Sequence, residues 1–179
     1  MGCFEVLESG EGIQEEIAHR LQDAGALACG WSSPSRPALL IISPRVAAQT
    51  HRLELGCRTV LLPGDAPAQH WQLQAASAVS YGPGPRDTLT LSSREGNRLW
   101  LALQREVVTV QGQVVERQEF PFQSAPAQST QAALAVAGGA AAAWGPPGAL
   151  ELAFAISYLT SRDLWTTIKT PPTPGGCHP

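Results

Sequence analysis

Apolar and polar positions follow two rhythms along this chain, and the change falls near residue 78. Before it, apolar residues come in short continuous blocks separated by helical stretches. Residues 3–7 form an apolar-rich segment that predicts a strand, and Ser9-Gly10-Glu11-Gly12 follows as a turn. Ile13, Ile17, Leu21 and Ala24 then recur at helical spacing, with Gln14, Glu15, Glu16 and Arg20 between them. Glu15 and Glu16 sit in the first turn, where the helix dipole favours acids, and Gly25 predicts the stop. Residues 30–37 read as a Ser/Pro-rich loop. Leu39-Leu40-Ile41-Ile42 and Thr59-Val60-Leu61-Leu62 are continuous rather than alternating, which predicts strands buried on both faces, as in a parallel sheet. Between them residues 46–55 predict a short helix ending at Gly56, and Pro63-Gly64-Asp65 halts the second strand.

After residue 78 the period shortens. Ala78-Val79-Ser80-Tyr81-Gly82 predicts a strand entering a Pro/Gly turn, and Thr88-Leu89-Thr90-Leu91-Ser92 alternates as a half-exposed strand does. Residues 99–103 predict another strand, and residues 107–110 and 113–116 flank Gln111-Gly112 as a hairpin. Residues 118–122 predict a last or edge strand, because Pro121 cannot donate to a ladder. This stretch therefore predicts an antiparallel meander with one wet face. Ser129 or Thr130 caps an alanine-rich helix running through Ala143, which Pro146-Pro147-Gly148 breaks. Residues 149–159 predict a second, more hydrophobic helix. The pattern as a whole predicts one α/β domain over residues 1–169: a small, mostly parallel sheet flanked by helices, with an antiparallel extension at about 88–122. Residues 170–179, rich in proline and glycine, predict a disordered tail.

Composition narrows the role. The chain has 179 residues, 44% hydrophobic and 15% charged, with a net charge of −3. A chain of this length buries roughly 70% of its unfolded surface, so its core needs no disulfide or metal staple. A small negative charge does not predict a nucleic-acid surface. Cys3, Cys29, Cys57 and Cys177 are scattered and lack metal-finger spacing, as expected of reduced thiols. No basic start precedes an apolar stretch, Val6 stands where a myristoylation signal wants Ser or Thr, and only two residues follow Cys177. The apolar run at residues 132–144 is interrupted by Gly138-Gly139 and is shorter than the ~20 residues a membrane span needs. These readings predict a cytoplasmic protein without a membrane span.

Two places carry candidate chemistry. The glycine turn before the first helix is a ready anion site, since free N–H groups point outward there. A phosphate-gripping loop also needs a lysine and a hydroxyl residue, and Ile13 and Gln14 stand in those places. The one lysine of the chain is Lys169, and Glu11, Glu15 and Glu16 add negative charge at the turn. A structural turn is the better-supported reading. The second place is polar: Arg86-Asp87-Thr88, Ser92-Ser93, Gln104-Arg105-Glu106 and Glu116-Arg117-Gln118-Glu119 fall at strand ends. They either form a rim for a small polar ligand or a partner, or are solvated ends with Arg–Glu pairs worth ~0–1 kcal/mol each. There is no Gly-x-Ser-x-Gly elbow, and His19, His51, His70 and His178 are isolated. Cys57 reads as a small buried hydrophobe, Trp31 and Trp71 as exposed loop residues, and Trp100 and Trp144 as core or core-edge residues. No catalytic residue, cofactor or metal ligand is predicted.

The order of these elements resembles the central domain of the Mur ligases, the ATP-dependent amide ligases of peptidoglycan synthesis. Residues 9–14 occupy the place of that family's Gly-Thr-x-Gly-Lys-Thr/Ser loop, and Val79-Ser80-Tyr81-Gly82 resembles its Tyr-Gly strand end. Residues 88–122 match its antiparallel extension and residues 131–143 its alanine helix, while Asp65 lies where the family has an acidic strand end. The likeness spans residues 3–145. With the loop lysine and hydroxyl missing, and the substrate and C-terminal domains absent, it implies a shortened relative without the ATP machinery. The function expected first is non-catalytic: an accessory or regulatory protein acting through a protein partner or self-association. The alternatives are a degenerate nucleotide or small-ligand binder, and a hydrolase or transferase built on the Arg105/Glu106/Glu119 cluster. The ligand-binding candidates are Gly10, Gly12, Asp65, Tyr81, Arg86, Asp87, Thr88, Arg105 and Glu106.

Overall fold

The computed structural model describes residues 4–23 and 36–145. The predicted helix at 149–159, the tail at 170–179, most of the 30–37 loop, Cys3, Cys29, Cys177, Trp31 and His178 lie outside the described residues. Four strands, β1 (Phe4–Leu7), β2 (Leu39–Ile42), β3 (Glu54–Pro63) and β4 (Gln72–Tyr81), lie side by side in sequence order and pair in parallel. A single parallel bridge, Tyr81 to Leu89, joins β4 to β5 (Leu89–Glu95). From there the sheet turns antiparallel through β6 (Arg98–Leu103), with β7 (Val107–Val108) and β8 (Val114–Val115) as a separate small hairpin and β9 (Gln118–Gln123) as the far edge. The protein is thus α/β, with a mostly parallel seven-stranded sheet and an antiparallel extension.

The two faces of β2 explain its unbroken apolar sequence. Leu39 and Ile41 join one core with α1 (Ile13–Asp23) and α3 (Thr130–Ala143), while Leu40 and Ile42 join a second with Ala47 of α2 (Pro44–Gln49) and Trp71. Along α3, every residue from Ala132 to Ala143 is buried, which suits a helix apolar on all sides. Its start is fixed by Ser129, whose Oγ accepts from the Ala132 N–H at 3.1 Å. Ser43 caps α2 in the same way, with Pro44 in the first turn where its missing N–H costs nothing. The sheet curls far enough that β9 meets α1. The Arg20 guanidinium donates to the Gln123 carbonyl at 2.6 Å and lies 4.3 Å above the Phe122 ring.

Four sequence expectations are corrected. Residues 46–55 are not one helix: α2 stops at Gln49 and β3 has begun by Glu54, with Gly56 inside the strand. Gly56 is a point of close approach, since a Cβ there would lie 3.0 Å from Nε of Arg36. β4 starts at Gln72 rather than Ala78, because its partner β3 supplies the ladder that its own sequence does not announce. Trp71 is buried, and its indole N–H donates to the Thr50 carbonyl at 3.0 Å. Trp100, on β6, is 39% exposed.

Candidate functional site

The parallel strands deliver four loops to one end of the sheet, and most of the sequence-predicted site residues stand there. Gly10 and Gly12 have φ of +67° and +68°, conformations that glycine adopts without a Cβ penalty. The helix start behind them is already filled. One carboxylate, Glu8, accepts from the Ile13 N–H at 2.8 Å and the Gln14 N–H at 3.0 Å. The chain therefore carries its own anion where a phosphate would sit, and this anion satisfies two of the free donors at the helix start. Glu8→Ala is expected to cost about 1 kcal/mol in chemical denaturation, within the range for a lost cap. An unchanged midpoint would remove the capping role.

Tyr81, Asp87 and Thr88 serve the fold. Tyr81 is fully buried, and its hydroxyl donates to the Ile42 carbonyl at 2.7 Å, locking the end of β4 to the end of β2. The Asp87 carboxylate lies among Gly64, Gly82 and Gly84, and its Oδ2 accepts from the Gly84 N–H at 2.9 Å. Thr88 is buried, and its N–H donates to Ser80 Oγ at 3.1 Å. Asp65 and Arg86 are exposed on the turns beside them. Arg105 and Glu106 are exposed after β6, and among the described residues neither forms a hydrogen bond or ion pair. In the polar cluster, Ser92 Oγ donates to Glu119 at 2.9 Å and the Gln118 side-chain amide donates to the Glu116 carbonyl at 3.3 Å.

Beside the glycine turn lies an open cleft of about 460 Å³, lined by Gly10, Glu11, Arg45 of α2, and Gln128, Ser129 and Gln131 at the start of α3. One oxygen of Glu11, Oε2, is itself buried and has no hydrogen-bond partner. Sequence reading saw Glu11 only as repulsion and missed Glu8, Ser80 and Arg45. Glu8 precedes its helix by five residues across the turn, a spacing outside the usual capping pattern. A second cavity of about 770 Å³ lies between His51, Arg52, Leu53, Glu54, His70 and Gln72, by the starts of β3 and β4. Among the described residues no group of three His, Cys, Asp or Glu side chains could hold a metal ion.

Among the described residues, two groups have raised pKa values. Burial pushes the Tyr81 hydroxyl well above the ordinary tyrosine range, and the carboxylates of Glu11 and Asp65 push it further. Burial also raises the Cys57 thiol, against the opposing pull of Arg36. In both, the folded state holds its proton longer than the unfolded chain does. Their contribution is complete below the unfolded pKa and is lost as pH rises past it. Free thiols ionise at about 8.5 and free tyrosine at about 10. Urea melts are therefore expected to show stability falling from about pH 9 upward, more steeply above about pH 10. Tyr81→Phe is expected to remove the steeper part; an identical alkaline slope in that variant would show that Tyr81 is not its source.

No protein-family model matches the chain, and no curated protein matches it in sequence. Among the described residues no helix is long and apolar enough to cross a membrane.

Proposed function

We propose that this protein is a non-catalytic accessory domain whose antiparallel extension binds a partner protein. One observation carries the reading. Among the described residues, the large hydrophobic side chains left exposed are Trp100, Val108 and Val114, and all three lie on the extension. Val108 and Val114 face each other across the β7–β8 hairpin. Trp100 stands opposite Pro121, with the Arg98 guanidinium 5.7 Å from its ring. Tryptophan and arginine are the residue types most enriched at binding hot spots. A photo-crosslinking residue at position 100 is expected to yield a discrete adduct with one partner in cells, and the same residue at Gln69 none. Trp100→Ala is expected to weaken that partner's binding by at least about thirtyfold, the size of a hot-spot loss, with an unchanged melting temperature. Equal binding by the variant would remove the proposal.

A second reading is favoured by the Glu11 cleft: a small-ligand binder of Mur-ligase-like descent. What supports it is the Tyr81-Gly82 pair at the end of the last parallel strand, followed by the extension and the alanine helix, in the order that family shows. The Glu8 carboxylate at the helix start argues against a nucleotide phosphate and leaves the neighbouring cleft for a ligand with a cationic group facing Glu11. A thermal-shift screen of amino acids, polyamines and nucleotides distinguishes these cases. Saturation at a hundred times the dissociation constant adds about 2.7 kcal/mol, and a flat response across the screen would remove the second reading.

A further inference from the structure

We propose that the free edge of β4, residues 72–79, pairs antiparallel with the same strand of a second copy of this chain. β4 pairs with β3 from Gln72 to Tyr81, yet touches β5 only through the bridge at Tyr81. Its other edge therefore carries backbone donors and acceptors that no strand takes up among the described residues. Gln74 to Ala78 are exposed one after another, with Arg36 donating to Gln74 Oε1 at 3.0 Å at the start of the run. β2 supports β3 only from Thr59 to Leu61. Below that level Glu54–Cys57 and Gln72–Ala75 form a two-stranded ribbon, flanked by an isolated bridge residue at Arg36. Two strands alone make a marginal sheet, and a second copy would make four.

The contrast with the outer edges of the same sheet strengthens the point. β1 is four residues long and carries exposed Glu5, while β9 carries Glu119 and Pro121. Short length, charge and proline are the devices that keep a sheet edge from pairing. From Gln72 to Tyr81 there is no charge and no proline.

The side chains select a second copy over an unrelated peptide. A peptide that adds to a sheet edge draws its specificity from pockets for its alternate side chains. Ala75, Ala76, Ser77 and Ala78 build no such pockets. About a two-fold axis at Ala76, which then faces its own copy, the run meets itself: the patch is the same on both copies, no strand residue sets like charges opposite each other, and the side chains near the axis are small.

Sedimentation of the full chain over a wide concentration range, with amide hydrogen exchange, tests this. The expected result is a concentration-dependent dimer in which the 72–79 amides slow as protein concentration rises. The double variant Ala75→Lys/Ala76→Lys puts like charges on both faces of the pairing and is expected to weaken the dimer by roughly tenfold or more. Its melting temperature in dilute solution should match that of the parent. Ala75→Thr/Ala76→Thr, neutral and strand-favouring, should keep the dimer, and so should Trp100→Ala. A chain that stays monomeric throughout overturns the proposal, whether or not its 72–79 amides are protected. A dimer that survives the lysine variant with those amides exchanging freely overturns it as well.

Discussion

Gly64→Ala is expected to lose about 2–4 kcal/mol of stability, although the position is an exposed turn at which alanine would ordinarily be neutral. The added Cβ would overlap Oδ1 of Asp87 and fall 2.6 Å from its Cγ. The same carboxylate also fills the space a side chain would need at the two neighbouring glycines, its Oδ2 lying 2.6 Å from an added Cβ at Gly82 and 3.0 Å from one at Gly84. To clear the new Cβ, Asp87 must shift, which strains or breaks its bond from the part-buried Gly84 N–H. The Gly64 N–H itself donates to the Tyr81 carbonyl at 2.9 Å, so the strain reaches the end of β4. For a chain of this length each kcal/mol moves the melting temperature by roughly 2–4 °C. If the Asp87 contact is the cause, Gly64→Ala combined with Asp87→Ala should lose much less than the sum of the two singles. A Gly64→Ala variant within ~0.5 kcal/mol of the parent would show that the loop yields freely.

Gly139→Val is expected to be as damaging, by about 3 kcal/mol, for a different reason. Here α3 presses against α1 and the sheet at once. A Cβ at Gly139 would lie 2.6 Å from Cδ1 of Ile17 and 2.8 Å from Cδ1 of Ile41, and neither isoleucine has any exposed surface. Glycine inside a helix costs about 1 kcal/mol relative to alanine, a cost offset here by the close approach it permits. Shortening the facing side chain tests this: Gly139→Val with Ile17→Ala should recover part of the loss in urea denaturation. A double variant less stable than either single would show that the cause is not the Ile17 contact.

Local pattern was a reliable guide where an element's signal lay within its own residues. The double-faced strand at Leu39–Ile42, the Ser129 cap of α3 and the turn at Gln111-Gly112 all follow from neighbours a few positions apart. It failed where the cause lay elsewhere in the chain. Gln72 to Ala78 has no apolar period, and it is a strand because β3 lies beside it. Trp71 reads from sequence as an exposed loop residue, yet the Thr50 carbonyl and the second core hold it. Among the candidate residues, Tyr81, Asp87 and Thr88 come together with the glycine turns at one end of the sheet, but each side chain or backbone group is engaged by the fold itself.

Composition and periodicity by themselves determined that this chain forms an α/β domain with a parallel part and an antiparallel part, and that its glycine turn lacks the lysine of a phosphate loop. Those are properties of residue type and spacing, and the chain carries them before it folds. Only the tertiary structure decided that Glu8 fills the helix start, that three glycines close around Asp87, that Trp100 stays outside the core, and that among the described residues one edge of β4 is paired only at Tyr81. Each of these depends on which backbone comes to lie beside which, and that is set by the packing of the sheet on α1 and α3 rather than by any local run of sequence.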